Sequence, residues 1–355
     1  MRIVRRTRPI RYKALVTALL AVGFALAAGA LVFAGQGVNP LEAYAVMVSG
    51  ALGSLNGLAE VAVKAVPLTL TGLSVAVAAT MLLWNIGAEG QFVWGAIGAG
   101  WAALYLSPFL PTALVIPACL LCGALAGALW AMIPAALRVR YGVSEILTTL
   151  LLNYVAIIFM EHLYFGPWRD PMAFGFPGTP TFPEASWLPR LGKTRLHLGA
   201  LVAVLAAAGL HLLLARTKWG YRIRVTGRSG QAARYAGMNT SRQTYAVMAT
   251  AGALAGLAGM GEVCGIHYLI REGINPGYGY DGIIVACLAG LRPALVPVYA
   301  VVLGTFLIGA DRLQSAMQLP SSIGLVLEGA LLLGLLAAEA VTRFRIASGK
   351  GDDNV

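Results

Sequence analysis

Residues 113–165 read ALVIPACLLCGALAGALWAMIPA, then ALRVRYG, then VSEILTTLLLNYVAIIFMEHLYF: two long apolar runs parted by a short basic turn. A helix that crosses a bilayer needs about 20 mostly apolar residues, and each run is long enough. Arg138 and Arg140 in the turn mark it as cytoplasmic, because short inward loops hold the excess of Lys and Arg. In lipid the backbone must satisfy its own hydrogen bonds, so both runs are expected to be helices.

The pattern continues in both directions. Apolar windows recur near 14–34, 65–83, 87–106, 197–215, 244–264, 281–291, 294–312 and 322–341, which with the first two makes ten. The window at 281–291 is too short to cross alone and is expected to be extended or broken. The stretch 35–64, with Glu42, Glu60 and Lys64, reads as an extracytoplasmic segment lying partly along the membrane. Composition agrees: 58% of the residues are apolar and 12% charged, with a mean hydropathy of +0.75. A soluble domain needs roughly 25% charged residues to keep its surface wet. A soluble enzyme, a disordered chain and a secreted disulfide scaffold are thereby excluded. The expectation is an all-α integral membrane protein of about ten transmembrane helices, some broken, with both termini cytoplasmic.

The net charge of +11 fits that orientation. Segments 1–13, 136–142, 216–243 and the part after Thr342 hold six, two, seven and three basic residues, eighteen of the 26. The excess is therefore topology, and no nucleic-acid partner is expected. The organisation read from it is a basic cytoplasmic N-terminus at 1–13, one transmembrane domain at 14–342 and a cytoplasmic tail at 343–355. Within the domain, loop 166–196 is the long outer connection. Its six prolines predict an irregular, stiff lid, with Trp168 and Trp187 as interfacial anchors.

Glycine is abundant (43 residues), and Gly123-Ala-Leu-Ala-Gly127 and Gly252-Ala-Leu-Ala-Gly256 have the small-xxx-small spacing that lets membrane helices approach closely. The four cysteines lie in apolar stretches and are read as small hydrophobic residues, with no metal and no disulfide. No loop is long enough to bury a core of its own, so an ATPase domain does not fit. Gly192-Lys193-Thr194 lacks the first glycine of a phosphate loop, since Trp187 stands there. No nucleophile–base–orienter set occurs, and no catalytic residue or cofactor is assigned.

The basic loop 216–243 contains Gly227-Arg228-Ser229-Gly230-Gln231-Ala232-Ala233-Arg234-Tyr235-Ala236-Gly237-Met238. Ser229 is a suitable N-cap, Gln231 to Ala236 are helix-compatible, and Gly237 can take the left-handed position past the end. A short capped helix on basic flanks suits a cleft in another protein; an amphipathic turn on anionic headgroups is the alternative.

Four ordered stretches carry a resemblance. They are Asn85-Ile-Gly-Ala-Glu89-Gly-Gln91, Gly142-Val-Ser-Glu145 through Asn153-Tyr154, Ala232-Ala-Arg-Tyr-Ala-Gly237, and Gly273-Ile-Asn-Pro-Gly-Tyr-Gly-Tyr-Asp281-Gly-Ile. From about Pro67 to Leu336 the chain resembles the membrane permease subunits of bacterial ABC importers of the simple-sugar/nucleoside group, within the larger ribose and branched-chain amino acid permease family. The resemblance implies a multi-pass protein of the bacterial inner (plasma) membrane that takes a nucleoside or simple sugar inward by alternating access. It implies a separate cytoplasmic ABC ATPase, which binds the ATP, and a second permease subunit, often a homologue. It also implies an extracytoplasmic solute-binding protein or lipoprotein. The segment Arg228–Met238 would be the coupling helix.

Polar residues within spans are costly and are candidates for function by default. Asn85, Glu89 and Gln91, set among Gly87 and Gly90, suit an interrupted helix that opens toward a pathway. The alternative for Glu89 is to bond a neighbouring helix and fix the break. Asn153 can bind solute or bridge helices, with bridging slightly favoured; Glu145 is read as a carboxylate at a helix start. Asp281 repeats the style of Glu89, an acid beside glycine. Trp84, Trp94, Tyr278 and Tyr280 are read first as interfacial anchors. A rival class is an ion-coupled secondary transporter using Glu89, Glu262 and Asp281; a channel or scaffold is a second.

Overall fold

The computed structural model describes residues 2–5 and 13–347; most of the N-terminal basic segment and of the tail lies outside the described residues. Strand β1 (Arg2–Arg5) precedes α1 (Lys13–Gly35), α2 (Pro40–Leu52), α3 (Leu55–Ala79) and α4 (Ala88–Trp101). Then come α5 (Thr112–Tyr141), α6 (Glu145–Phe165), α7 (Gly199–Arg216), α8 (Lys218–Arg228) and α9 (Gly230–Tyr235). The chain continues through α10 (Thr240–Glu262), α11 (Tyr278–Leu288), α12 (Val296–Met317), α13 (Ser322–Arg343) and β2 (Phe344–Ala347).

Among the described residues nine helices are long and apolar enough to cross a membrane. The all-α expectation holds for the spans, with one addition: β1 and β2 pair antiparallel, Arg2 opposite Ala347 and Arg5 opposite Phe344. The window at 281–291 is the 11-residue α11, which begins at Tyr278 after the non-helical stretch 268–277; it is the short, broken element expected there, and with the nine it fits about ten helices. A correction concerns 35–64. Asn39 caps α2 through a 3.0 Å bond from the Leu41 amide, with Pro40 in the first turn. The rest of that stretch, with Glu60 and Lys64, belongs to α3, a 25-residue candidate span.

The chain forms two compact units. Of the described residues, the first comprises those up to Leu58, Cys287–Gly290 and those from Thr305 to Ala347. In it Phe33, Ala43, Met47, Leu313, Leu319, Ile323 and Leu327 form a buried apolar cluster. The Phe33 and Tyr44 rings meet edge-on at 5.3 Å, and the Tyr44 hydroxyl donates to the Leu26 carbonyl. The second unit, Ala59–Ala286 with Leu291–Gly304, holds most of the spans and every residue of the site described below.

Its centre is a glycine-lined crossing of α4, α5 and α10. A Cβ added at Gly127 would strike the Gly252 carbonyl, one at Gly256 the Gly123 carbonyl, and one at Gly95 the Gly256 backbone. The two small-xxx-small pairs therefore face each other, and the helices touch backbone to backbone. This closeness maximises dispersion contacts where lipid tails provide no hydrophobic driving force.

Candidate functional site

Helix α3 stops inside the second unit, where Leu82 takes a left-handed conformation (φ 55°). The Leu83 amide turns back to the Ala78 carbonyl at 3.2 Å, and Leu82 to Ala79 at 3.0 Å. These bonds satisfy the last carbonyls of the helix, and the left-handed residue costs about 1–2 kcal/mol. The chain then runs without regular helix until α4 begins at Ala88. Such a break between candidate spans must find partners for its backbone and side-chain polar groups.

Asn85, Glu89, Gln91 and Asn153 supply them. Asn85 and Gln91 exchange amide hydrogen bonds in both directions, at 2.8 and 2.9 Å, and Asn85 Nδ2 also donates to Ser74 Oγ at 3.0 Å. From α6, Asn153 Oδ1 accepts the Gly90 amide at 2.9 Å; its Nδ2 donates to the Ile86 carbonyl at 2.9 Å and reaches Tyr280 Oη at 3.2 Å. All four residues are at most 1% exposed. Their hydrogen-bonding capacity is nearly used up inside the fold.

Glu89 lies in the first turn of α4, and its Oε2 accepts the Gly279 amide at 2.6 Å from the start of α11. The Asn275 side chain is a further partner. Gly279 is packed onto the Glu89 backbone so closely that a Cβ would clash with it. Two helices that begin after non-helical stretches thus present their N-terminal ends to one carboxyl group, where the peptide dipoles favour negative charge. Asp281 is buried in the first turn of α11 and is also partnered.

Glu145 starts α6 as read. It forms an ion pair with Arg138 at the end of α5 and accepts the Trp84 amide at 3.4 Å. Trp94 is stacked between Trp130 (4.8 Å) and Phe159 (5.1 Å), joining α4, α5 and α6. The Trp187 ring lies 4.3 Å from that of Tyr268 at a tilt of 30°, and its indole nitrogen donates to the Phe182 carbonyl.

The proline-rich loop is irregular apart from a short 3₁₀ turn at Glu184–Ser186, yet it is tied down. Leu188, Phe182 and Thr179 donate amide bonds to the carbonyls of Cys264, Tyr268 and Ile270, at 2.8, 2.7 and 2.9 Å. At its end His197, 1% exposed, is wedged between Gly199 and Gly265, where any Cβ would meet the ring. Its Nδ1 accepts the Gly199 amide at 3.1 Å. Burial pushes its pKa below the ordinary 6.5, and the nearby Glu262 opposes that shift.

In the basic loop, Ser229 accepts the Ala232 amide at 3.1 Å. At the other end Gly237 takes φ 72°, Met238 donates to the Ala233 carbonyl at 2.9 Å and Gly237 to Arg234 at 3.0 Å. That is a Schellman closure, so α9 is capped at both ends. Gln231, Ala232, Arg234, Tyr235, Ala236 and Gly237 face outward, as do Arg228 and Ser229, while Met238 is half-buried. Tyr235 is 87% exposed. Ala233 departs from the expectation of an outward surface, because it turns into the fold and is fully buried.

Residues 57–336 match the family described as branched-chain amino acid transport system, permease component. The chain belongs to that family. It is 34% identical over 353 residues to a glucose ABC transporter permease of Haloferax volcanii, covering 96% of this chain and 92% of that one. It is 31% identical over 347 residues to a guanosine ABC transporter permease of Bacillus subtilis, covering 96% and 97%. A nucleoside ABC transporter permease of Lactococcus lactis is 31% identical over 287 residues, 78% of each chain. Family and spans together make the chain an ABC permease, a multi-pass protein of the inner membrane and a transport subunit. They do not favour the ion-coupled alternative.

Sequence reading missed Lys64, which it placed outside the membrane. It stands within α3, its ammonium 3.1 Å from Tyr278 Oη. The signal was available: Val61, Val63, Ala65 and Val66, on either side of the lysine, are apolar, and all are buried.

Proposed function

We propose that this permease carries a nucleoside or simple sugar inward by alternating access, powered by a separate ABC ATPase seated against α9. The observation that carries the proposal is the build of α9. Its backbone ends are sealed by Ser229 and by the Gly237 turn, while Gln231, Arg234 and the 87%-exposed Tyr235 project from it. A short helix whose own groups are satisfied and whose side chains project can transmit force to a partner without unravelling. Its basic setting, with Arg228, Arg234 and Arg242, places it on the cytoplasmic side under the positive-inside rule. That side puts the proline-rich loop outside; with α11 and the non-helical stretch 268–277 before it making a tenth, broken crossing, it also puts both termini in the cytoplasm.

The solute class follows from the relatives, whose names give glucose, guanosine and nucleosides. These share a hydroxyl-bearing sugar ring and no net charge. A second permease subunit homologous to this one and a solute-binding protein or lipoprotein outside complete the assembly. In this reading Asn85, Glu89, Gln91 and Asn153 brace the break between α3 and α4 and the start of α11, since contact with solute would require their existing bonds to open. Asp281 is assigned the same bracing role.

The test is a mild-detergent pull-down of the tagged chain from its native membrane, with co-purifying proteins identified by mass. Stoichiometric recovery of an ABC ATPase is expected. A chain that emerges intact and alone would overturn the proposal.

A further inference from the structure

Lys64 is a charged side chain of this unit that the bracing network leaves out. It lies within a candidate span whose following residues, from Ala65 to Ala78, are all buried. A lysine in such a place is costly and is kept where it meets a cavity, a partner or a solute. Its contacts within the fold are the Tyr278 hydroxyl at 3.1 Å and the Tyr278 ring, 5.4 Å from Nζ to centroid. Among the described residues it forms no ion pair. An ammonium has three donors, and one hydroxyl occupies one of them. The side chain is half-buried, in contrast to the sealed amides below it.

Its neighbours form an ordered series. One turn earlier on the same face of α3, Glu60 pairs with Arg195 of the proline-rich loop at 3.2 Å. On the other side, Tyr278 opens α11, followed by Gly279, which binds Glu89, and Tyr280, which meets Asn153. Lys64 therefore stands between a charged outer pair and the closed polar knot, with donor capacity to spare.

We propose that Lys64 contacts the solute, donating to hydroxyl or carbonyl oxygens of a neutral sugar-bearing molecule while its positive charge disfavours cationic analogues. This inference rests on the permease reading. Tyr278 holds the ammonium by its hydroxyl and ring face and acts as a positioning residue. Two remaining donors suit vicinal hydroxyls, a pattern common to a hexose and a ribose.

The experiment uses the full transporter purified with its ATPase and binding protein and reconstituted in liposomes, with labelled glucose and labelled guanosine as probes. Lys64→Met is expected to raise the KM for uptake at least tenfold while the amount of bound ATPase stays unchanged. Discrimination between glucose and its cationic 2-amino analogue should narrow in the same variant. Lys64→Cys should be equally impaired, and aminoethylation of the new thiol, which rebuilds an ammonium, should restore uptake severalfold where a neutral ethyl group does not. Tyr278→Phe should leave KM within about threefold.

An unchanged KM in Lys64→Met, or rescue by the neutral group as well, would overturn the proposal and make Lys64 a packing element. If Lys64→Met does not assemble, the chemical rescue of Lys64→Cys decides by itself. A complete wild-type complex that transports neither probe overturns the solute class and this proposal with it. A preparation with no ATPase overturns the earlier reading instead.

Discussion

Two irregular regions of the chain solve the same problem in opposite ways. At the break between α3 and α4 the polar groups turn on one another: Asn85 on Gln91, Asn153 on Ile86 and Gly90, Glu89 on Gly279. At α9 the backbone is closed by its caps, and the side chains are left projecting. Saturation with burial marks a brace, because every hydrogen bond already has its partner. A sealed backbone with projecting side chains marks a surface made for something else. Residues that look equally polar in the sequence thus divide by whether their bonding capacity is spent.

The comparison breaks most readily at Asn153. Asn153→Leu orphans a buried amide and a buried carbonyl, at about 1–3 kcal/mol each, so thermal unfolding in detergent should move down sharply. An unchanged midpoint would show that the knot is not a brace. Asn85→Leu should cost about 1–3 kcal/mol by stranding Gln91, whereas adding Gln91→Leu should recover part of that loss, since two apolar partners leave fewer groups unpaired. A double-mutant cycle on thermal or denaturant unfolding measures the coupling, and simple additivity would refute the pairing.

At α9 the expected pattern reverses. Tyr235→Ala should leave the unfolding midpoint in place and lower ATP-driven uptake about tenfold, which corresponds to roughly 1.4 kcal/mol. Ser229→Ala removes the N-cap, worth about 0.5–2 kcal/mol locally, and should reduce uptake a few-fold with little change in the global midpoint. The smallest effect is at His197. Its buried ring binds a proton less readily than in the unfolded chain, so the unfolded state takes up more protons below the ordinary pKa of 6.5. Stability is therefore full above that value and declines as pH falls through and below it; His197→Asn should flatten the decline in a pH series of melting curves.

Much of α9 was legible from residue type alone, because a serine cap and a left-handed glycine are local chemistry: Ser229 and Gly237 do what their positions predict. The glycine pairs 123/127 and 252/256 were legible for a similar reason, since spacing along a helix fixes a face. The inward turn of Ala233 was not, as alanine suits either side of a helix. Nor was the exchange between Asn85 and Gln91, which depends on how the chain bends between α3 and α4. Lys64 escaped because its charge closed the apolar window one residue short, although α3 continues past it on both sides. The tenth window was legible as too short to cross alone, and α11, with 11 residues after the irregular stretch 268–277, is that broken element.

The most direct measurement is photo-crosslinking in the native membrane from a benzophenone side chain placed at Tyr235, with the adduct identified by mass. The account predicts a covalent adduct with an ABC ATPase, absent when the same group replaces Leu129, an exposed side chain midway along the candidate span α5. No ATPase adduct from position 235, in membranes that still transport the solute, would contradict it.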